Sequence, residues 1–574
     1  MLQAAGSRWL YFKNPQEIVV TTDIRDVSQK LDHIAAAVQE KKLYAVGFIA
    51  YEAALAFEPA LKIQRFTGLP LLWFGLYSEP HEVEIPEAGA LGAYELSNWQ
   101  PSISKSTYRR AFDQIKAYIA EGDTYQVNFT LRLRSSFSGS AWDFFLDLVR
   151  AQQAKYCAFI DTDNFSICSA SPELFFRLTE DELISLPMKG TAPRGRTLLE
   201  DRENIQWLQQ SIKNRAENLM IVDMIRNDIG RIAEIGSVQV SSLFDIERYP
   251  TVLQMTSQVR ARTRAAFPEI MATLFPCASI TGAPKVRTMQ IIDELERDPR
   301  GIYTGCIGYL SPKEEAQFNV AIRTVAIDKM NGKAEMGVGG GIVWDSDGEE
   351  EYEECQIKAR FLTRSRPVFD LLETLLWSPG EEYFLLEEHL HRLSDSSEYF
   401  GFGVNIDQAR KKLFDCVEDL TAPSKVRLLV KRDGSLRTEV FPQDAAQVEG
   451  SWRVALASDP IDSGDPFLFH KTTHRQMYER ARRGQPDCND VLLWNEHKQL
   501  TESTVANVVV RLNGELLTPA LKCGLLAGTF RQHLLDEGII HEAILPLNHL
   551  HQAEEIFLIN SVRKWIPVVL VSVD

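Results

Sequence analysis

A chain of 574 residues, 45% hydrophobic and 25% charged, is too long for one core, and length alone suggests about three or four domains. Its net charge of -17 argues against a nucleic-acid-binding role, because such binding runs on basic patches that release counterions. The eight cysteines form no C-x-x-C pair, the opening MLQAAGSRWLYFKNP lacks the basic start and long apolar run of a signal peptide, and no window approaches ~18 uninterrupted apolar residues; a soluble, cytoplasmic protein with reduced thiols and no membrane span is expected.

Between Val19 and Pro80, SQKLDHIAAAVQEKK has the spacing of an amphipathic helix, and YAVGFIAYEA and LPLLWFGLY read as buried strands. EPHEVEIPEAGALGAYELSNWQPSISK is rich in Pro, Gly and Glu and reads as a surface connection. Tyr108 to Ile119 has helical spacing, Glu121-Gly122-Asp123 stops it, and YQVNFTLRLR alternates as a strand. Further strands and helices run to about Arg360, ending in strand-like FNVAIRTVAID and AEMGVGGGIVW and an acidic helix start. This half predicts an α+β domain with a large mixed or antiparallel sheet. Near RFLTRSRPVFD the pattern changes, with Pro367 at the join. FDLLETLLWSPGEEYFLLEEHLHRL alternates strand, turn and strand, then enters a helix at Leu386 to Phe400. VRLLVKR, WRVALASD and VANVVVRLNGELLTP are strand-like, and no internal repeat or low-complexity segment is evident.

Five stretches carry candidate chemistry: SASPELF, LPMKGTAPRG, RAENLMIVDMIRND, ITGAPK and GGGIVWDSDGEEEYEE. On a helix, Glu351 and Glu354 share one face, and magnesium accepts such oxygen ligands while keeping waters and binding a substrate anion. Taken alone, EEEYEE reads better as a solvated helix start than as a metal site, SPE reads also as a helix cap and GGG as a bend. Glycines also let backbone N–H groups approach an anion, and an arginine fork suits a carboxylate.

Together these stretches resemble the chorismate-utilising enzymes, over roughly Tyr11 to Phe361. The resemblance implies a two-layered sheet sandwich flanked by helices, with residues 1–100 its N-terminal part and 101–363 its catalytic core. Lys189, where anthranilate synthases look to carry alanine, narrows the likeness to the aminodeoxychorismate synthase branch. By that likeness Glu173 is the general acid for the leaving 4-hydroxyl. Lys189 adds at C2 of chorismate, and ammonia then displaces it by attack at C4; the plainer alternative is a lysine that pairs with a substrate carboxylate. Substrate contacts are expected from Arg323, Lys285, Thr281, Gly339, Gly340, Gly341, Tyr309 and Lys358. Magnesium (Mg2+) is expected on Glu217, Glu351 and Glu354, with the choice between Glu351 and Glu354 as direct ligand left open. One departure is Gln254, where parts of the family carry a histidine; a glutamine hydrogen-bonds but supplies no acid. No cysteine lies in a G-x-C-x-G elbow, so a separate glutamine amidotransferase subunit is the implied ammonia source.

Residues 367–574 resemble the fold-type IV pyridoxal 5'-phosphate (PLP) enzymes, an α/β domain class that includes aminodeoxychorismate lyase and branched-chain aminotransferases. The motifs are EEHLHRLSDSSEYFG, FLFHKTTHR, LTESTVANVV, GLLAGTFRQHLL and IFLINSVRKWIPV. They imply Lys471 as the lysine that holds PLP and moves protons, Arg392 on the phosphate and Glu502 on the pyridine nitrogen. Backbone N–H groups of Gly528 and Thr529 would cradle the phosphate, with Asn560 and Ser561 near the substrate. A homo-oligomer through this domain is compatible with the likeness. The two halves would act consecutively, from chorismate and ammonia through aminodeoxychorismate to 4-aminobenzoate and pyruvate, a folate precursor route. The alternatives are an anthranilate synthase component in the first half, and an amino-acid transaminase or a non-catalytic assembly module in the second.

Overall fold

The strand Gln126–Gly139 shows how the first half is built. Its odd positions, Val127, Phe129, Leu131 and Leu133, enter an apolar core with the helices Lys105–Ala120, Ala141–Gln152, Lys285–Leu295 and Gly348–Ala359. Its even positions, Gln126, Asn128, Thr130 and Arg132, are also buried but polar, and point to the other face. A strand whose apolar and polar faces are both buried belongs inside a layered protein.

In the computed structural model, residues 1–4, 8–61, 68–85, 93–359, 362, 367–443 and 451–571 are described. The chain forms two units: Met1–Pro193 with Ile205–Arg366, and Arg194–Asn204 with Pro367–Asp574. The expected surface connection lies outside the described residues over 86–92, as does most of the expected join, at 360–361 and 363–366.

The first unit is a sandwich of two antiparallel sheets. One runs, in order, from Gly282–Ala283 through Gln126–Gly139, Lys333–Ile342, Thr324–Asp328, Phe165–Ser171 and Tyr156–Asp161 to the N-terminal strands. The other runs from Met188–Pro193 through Val252–Arg262, Glu182–Leu186, Leu174–Thr179, Glu315–Val320 and Cys306–Ser311 to Tyr44–Ile49, Leu72–Tyr77 and Glu17–Thr21. Phe48, Ile307 and Tyr309 of the second sheet meet Leu10, Ala158 and Ile167 of the first in the layer between them. The helix Val27–Glu40 buries Val27, Leu31, Ile34 and Val38 against the outer face of the second sheet, beside the helices Ile212–Gly230 and Phe267–Leu274. Helices thus cover both outer faces, the flanked sandwich that the resemblance implied.

FNVAIRTVAID is not one strand. It breaks into Glu315–Val320 and Thr324–Asp328, which belong to different sheets, and Arg323 at the break takes a left-handed φ of 49°. A β-branched run reads as continuous from its period, but the chain crosses between layers there.

The second unit pairs Leu371–Ser378, Ser424–Val430 and Leu436–Pro442 in a small antiparallel sheet, packed on the helices Leu386–Phe400 and Ile406–Asp415. A larger mixed sheet runs from Leu500–Ser503 to His541–Ala543 and turns back on itself where Glu502 pairs with Asn507. No helix among the described residues is long and apolar enough to cross a membrane.

Candidate active sites

In the first unit, a cavity of about 590 Å³ is lined by Glu173, Lys189, Glu217, Gln254, Ser279, Tyr303, Arg323, Gly339, Gly341, Glu351, Glu354 and Lys358. A larger cavity of about 1380 Å³ in the same unit, around Phe12, Trp73 and Phe165, carries none of the motifs. Lys189 lies on the strand Met188–Pro193 where the register slips against its neighbour, with Gly190 at φ 104°. The amide of Asn218 donates to the Lys189 carbonyl at 3.1 Å and Gln254 donates to the Gly190 carbonyl at 2.9 Å, so this irregular backbone is held from both sides. The Lys189 ammonium stands 3.8 Å from Glu217. A methyl group on Gly341 would push the ends of Lys189 and Gln126 out of the places they hold.

Glu173 follows the strand Phe165–Ser171 and is buried. Burial lifts its carboxyl to about 7, against a partial downward pull from the Ser279 hydroxyl, which donates to it at 2.6 Å. Arg323 is driven down to about 10 by burial, remains charged, and lies over the Tyr249 ring at 5.7 Å. On the helix Gly348–Ala359, Glu354 pairs with Lys358 at 2.6 Å, and Lys358 also donates to the Gly339 carbonyl at 2.9 Å. Glu351 accepts from Ser346 at 2.7 Å, and its pKa is raised by burial and then by the neighbouring Glu354 charge.

Among the described residues, no three His, Cys, Asp or Glu groups stand close enough to hold a metal alone. The three carboxylates instead face one cavity, and Glu351 is a buried acid beside a like charge, which a cation would relieve. An open set of this kind fits magnesium, which keeps waters and takes substrate oxygens.

In the second unit, a cavity of about 330 Å³ is lined by Arg392, Lys471, Glu502, Gly528, Thr529, Asn560 and Ser561. Burial, helped by the Arg392 charge, lowers Lys471 to about 8. Burial raises Glu502 to about 7, while Tyr478 donates to it at 2.8 Å. Arg392 is braced by Glu373 at 2.7 Å and by the Ala527 carbonyl at 3.0 Å. Arg392 and His389 hold the Glu373 carboxyl down at about 2 against its own burial. Gly528 caps the helix Thr529–Asp536 without a side-chain cap, leaving its first N–H groups for an anion. A phosphate end, an amine and an acid set around one cavity fit PLP.

Residues 2–364 match the model of the chorismate binding enzymes. The chain belongs to that family. Residues 370–571 match the amino-transferase class IV family. Aminodeoxychorismate synthase component 1 of Salmonella typhimurium is 43% identical over 260 residues, 45% of this chain and 57% of that protein. Anthranilate synthase component 1 of Aquifex aeolicus is 37% identical over 273 residues, 47% of this chain and 55% of that protein. The chain thus spans just over half the length of these relatives. A crystal structure of anthranilate synthase component I from Streptococcus pneumoniae TIGR4 aligns at a TM-score of 0.55 and 26% identity, covering 63% of this chain and 94% of that one.

Within the chorismate-binding unit, the structure brings Glu173, Lys189, Glu217, Arg323, Gly339, Gly341, Glu351, Glu354 and Lys358 to one cavity. It does not bring Thr281, Lys285 or Tyr309 there. Thr281 is fully buried and spends its hydroxyl on the Cys277 and Ala278 carbonyls. Lys285 is tied to Asp228 at 3.2 Å and to the Leu274 carbonyl. Tyr309 lies in the layer between the sheets, and Tyr303 takes the cavity wall. Gly340 faces Glu351, which a methyl group there would crowd, so these glycines clear space for side chains. Sequence reasoning missed Gln126, whose amide is buried beside Lys189 without a hydrogen bond, and Ser279, Asn218 and Glu373. The polar alternation of YQVNFTLRLR was the available signal for Gln126.

Proposed function

We propose that the chain makes 4-aminobenzoate in two steps. The chorismate-binding unit converts chorismate and ammonia to 4-amino-4-deoxychorismate and water; the PLP unit splits that product into 4-aminobenzoate and pyruvate. The observation that carries the reading is a lysine and a buried acid on one cavity: Lys189 and Glu173, whose carboxyl burial lifts to about 7. Lys189 as the free amine bonds to C2, the ring electrons shift, the C4–O bond breaks, and Glu173 gives the leaving hydroxyl its proton. Ammonia then bonds to C4, the C2–N bond breaks to return the lysine as an amine, and the proton lost by the new C4 amine goes back to the Glu173 carboxylate. Arg323 and Lys358 meet substrate carboxylates, and Glu217, Glu351 and Glu354 would hold magnesium, which supplies charge for the same anion. A separate amidotransferase subunit supplies the ammonia.

In the second unit Arg392 and the Gly528–Thr529 N–H groups would hold the PLP phosphate, and Glu502 the ring nitrogen. When bound, PLP supplies an electron sink for the ring carbon that carries the amine. Lys471, at about 8, has enough free amine near neutrality to take the proton from that carbon and return it to the departing enolpyruvyl group.

The test is to incubate the purified chain with chorismate, magnesium and ammonium salt, with and without PLP, and separate the products. 4-Aminobenzoate with pyruvate, dependent on PLP, supports both steps. Accumulated aminodeoxychorismate removes the second, and anthranilate overturns the role given to Lys189.

A further inference from the structure

The short segment after the lysine-bearing strand, Arg194–Asn204, leaves the chorismate-binding unit and belongs to the PLP unit. Its sequence gives no sign of this, since it follows the strand Met188–Pro193 directly and its residues from Leu198 onward begin the helix Leu198–Gln210, which runs on past the segment. A buried ion pair closes the segment on itself, and Arg194 carries it to the rest of the unit. Asp201, 0% exposed, binds Arg194 through both oxygens, at 2.6 to 2.9 Å, and accepts from the Gly195 amide at 2.7 Å. The Arg194 guanidinium lies over the Tyr399 ring at 4.4 Å and donates to the Tyr399 carbonyl at 2.8 Å. Tyr399 in turn donates its hydroxyl to the Gly195 carbonyl at 2.7 Å. Leu198 enters the same core as Phe369 and Leu371.

This bracket ends on the residue before Lys471. The ring of His470 stacks on Tyr399 at 4.3 Å, and its Nε2 lies 3.1 Å from the Arg196 carbonyl. A carbonyl only accepts, so Nε2 carries the proton. Nδ1 is then the acceptor, and Ser396 donates to it at 2.9 Å. The Arg196 guanidinium also covers the Phe469 ring at 4.9 Å. From the other side, the Leu372 amide donates to the Lys471 carbonyl at 3.0 Å and the Thr473 amide to Asp370 at 2.9 Å. The backbone of Lys471 is therefore clamped between a strand of its own unit and the inserted segment.

We propose that Arg194–Asn204 is a working part of the PLP site, with His470 a positioning residue that sets Lys471 through its bond to the Arg196 carbonyl. This rests on the PLP reading of the second unit, but its first test does not need PLP. In the PLP-free full chain, hydrogen exchange is followed at residues 469–473 for Asp201→Asn and for the milder Tyr399→Phe, which keeps the ring and removes one hydroxyl. Exchange there at least tenfold faster, with exchange across Gln126–Gly139 unchanged, is expected. Unchanged exchange at 469–473 in both variants overturns the proposal. PLP is then titrated into His470→Leu and His470→Gln, recording affinity and the pH at which the absorbance of bound PLP changes. His470→Leu should bind at least tenfold more weakly and shift that pH, and His470→Gln, which can still donate to the carbonyl, should restore both. Equal behaviour of Leu, Gln and the unaltered chain refutes the role. If the unaltered chain binds no PLP, the reading of the site falls, and the exchange result still decides whether the segment braces residues 469–473.

Discussion

Replacing Glu173 by glutamine separates its chemistry from its place in the fold. With an ordinary value of 4.5, this carboxyl at pH 7 would be protonated about once in 300 molecules. At about 7 it is protonated in half of them, so burial raises the amount of usable acid roughly a hundredfold. The amide has no acidic proton, and a loss of ~10²–10⁴ in kcat is expected for aminodeoxychorismate formation. In the unaltered chain, at fixed free ammonia, kcat should fall as pH rises through about 7. Ser279→Ala removes a donor that favours the ionised form, so that limb should move to higher pH. Stability moves the other way. The folded value lies above the unfolded one, so the folded chain loses stability as pH rises from 4.5 to about 7, by about 3 kcal/mol once Glu173 is ionised. Glutamine does not ionise, so at pH 8 the variant should be inactive yet more resistant to urea than the unaltered chain. Product formation by chromatography and urea unfolding at pH 5 and 8 measure both. A variant that keeps its turnover, or an activity flat between pH 6 and 8.5, refutes the assignment of Glu173 as the acid.

Lys189→Ala should abolish aminodeoxychorismate formation while chorismate still binds, measured by calorimetry beside the product assay; normal turnover would leave the lysine only a pairing role. Lys471→Ala should let aminodeoxychorismate accumulate, and 4-aminobenzoate formed at the usual rate would sink the lyase assignment. Glu373→Gln loosens Arg392 and should weaken PLP binding ~10-fold or more, read by titration of PLP absorbance. Ile34→Ala removes a fully buried side chain from the helix Val27–Glu40 and should cost ~2–5 kcal/mol in urea unfolding, with the cavity chemistry of the remaining folded protein unaltered.

Much of both sites is legible from residue type and order. SPE, PMKG, the glutamates of EEEYEE, HLHRL, HKTTHR and TES name side chains that the fold then gathers on two cavities. Local period also determines the elements whose partners do not matter to their type. Tyr108, Phe112 and Ile115 make one helical face whatever they pack against, and Leu386–Phe400 is a helix as its spacing predicts. What a side chain faces is another matter, because strand partners come from far along the chain. Thr281 and Lys285 sit in a motif of the site, yet neighbouring carbonyls and Asp228 take their polar atoms. Arg323 owes its orientation to a break between two sheets that a strand-like run conceals. Gly341 reads as an anion cradle, and it also stands against the end of Lys189, a proximity that exists only once strand and lysine meet. The membership of Arg194–Asn204 in the PLP unit likewise depends on a buried ion pair and two rings whose meeting no local period encodes.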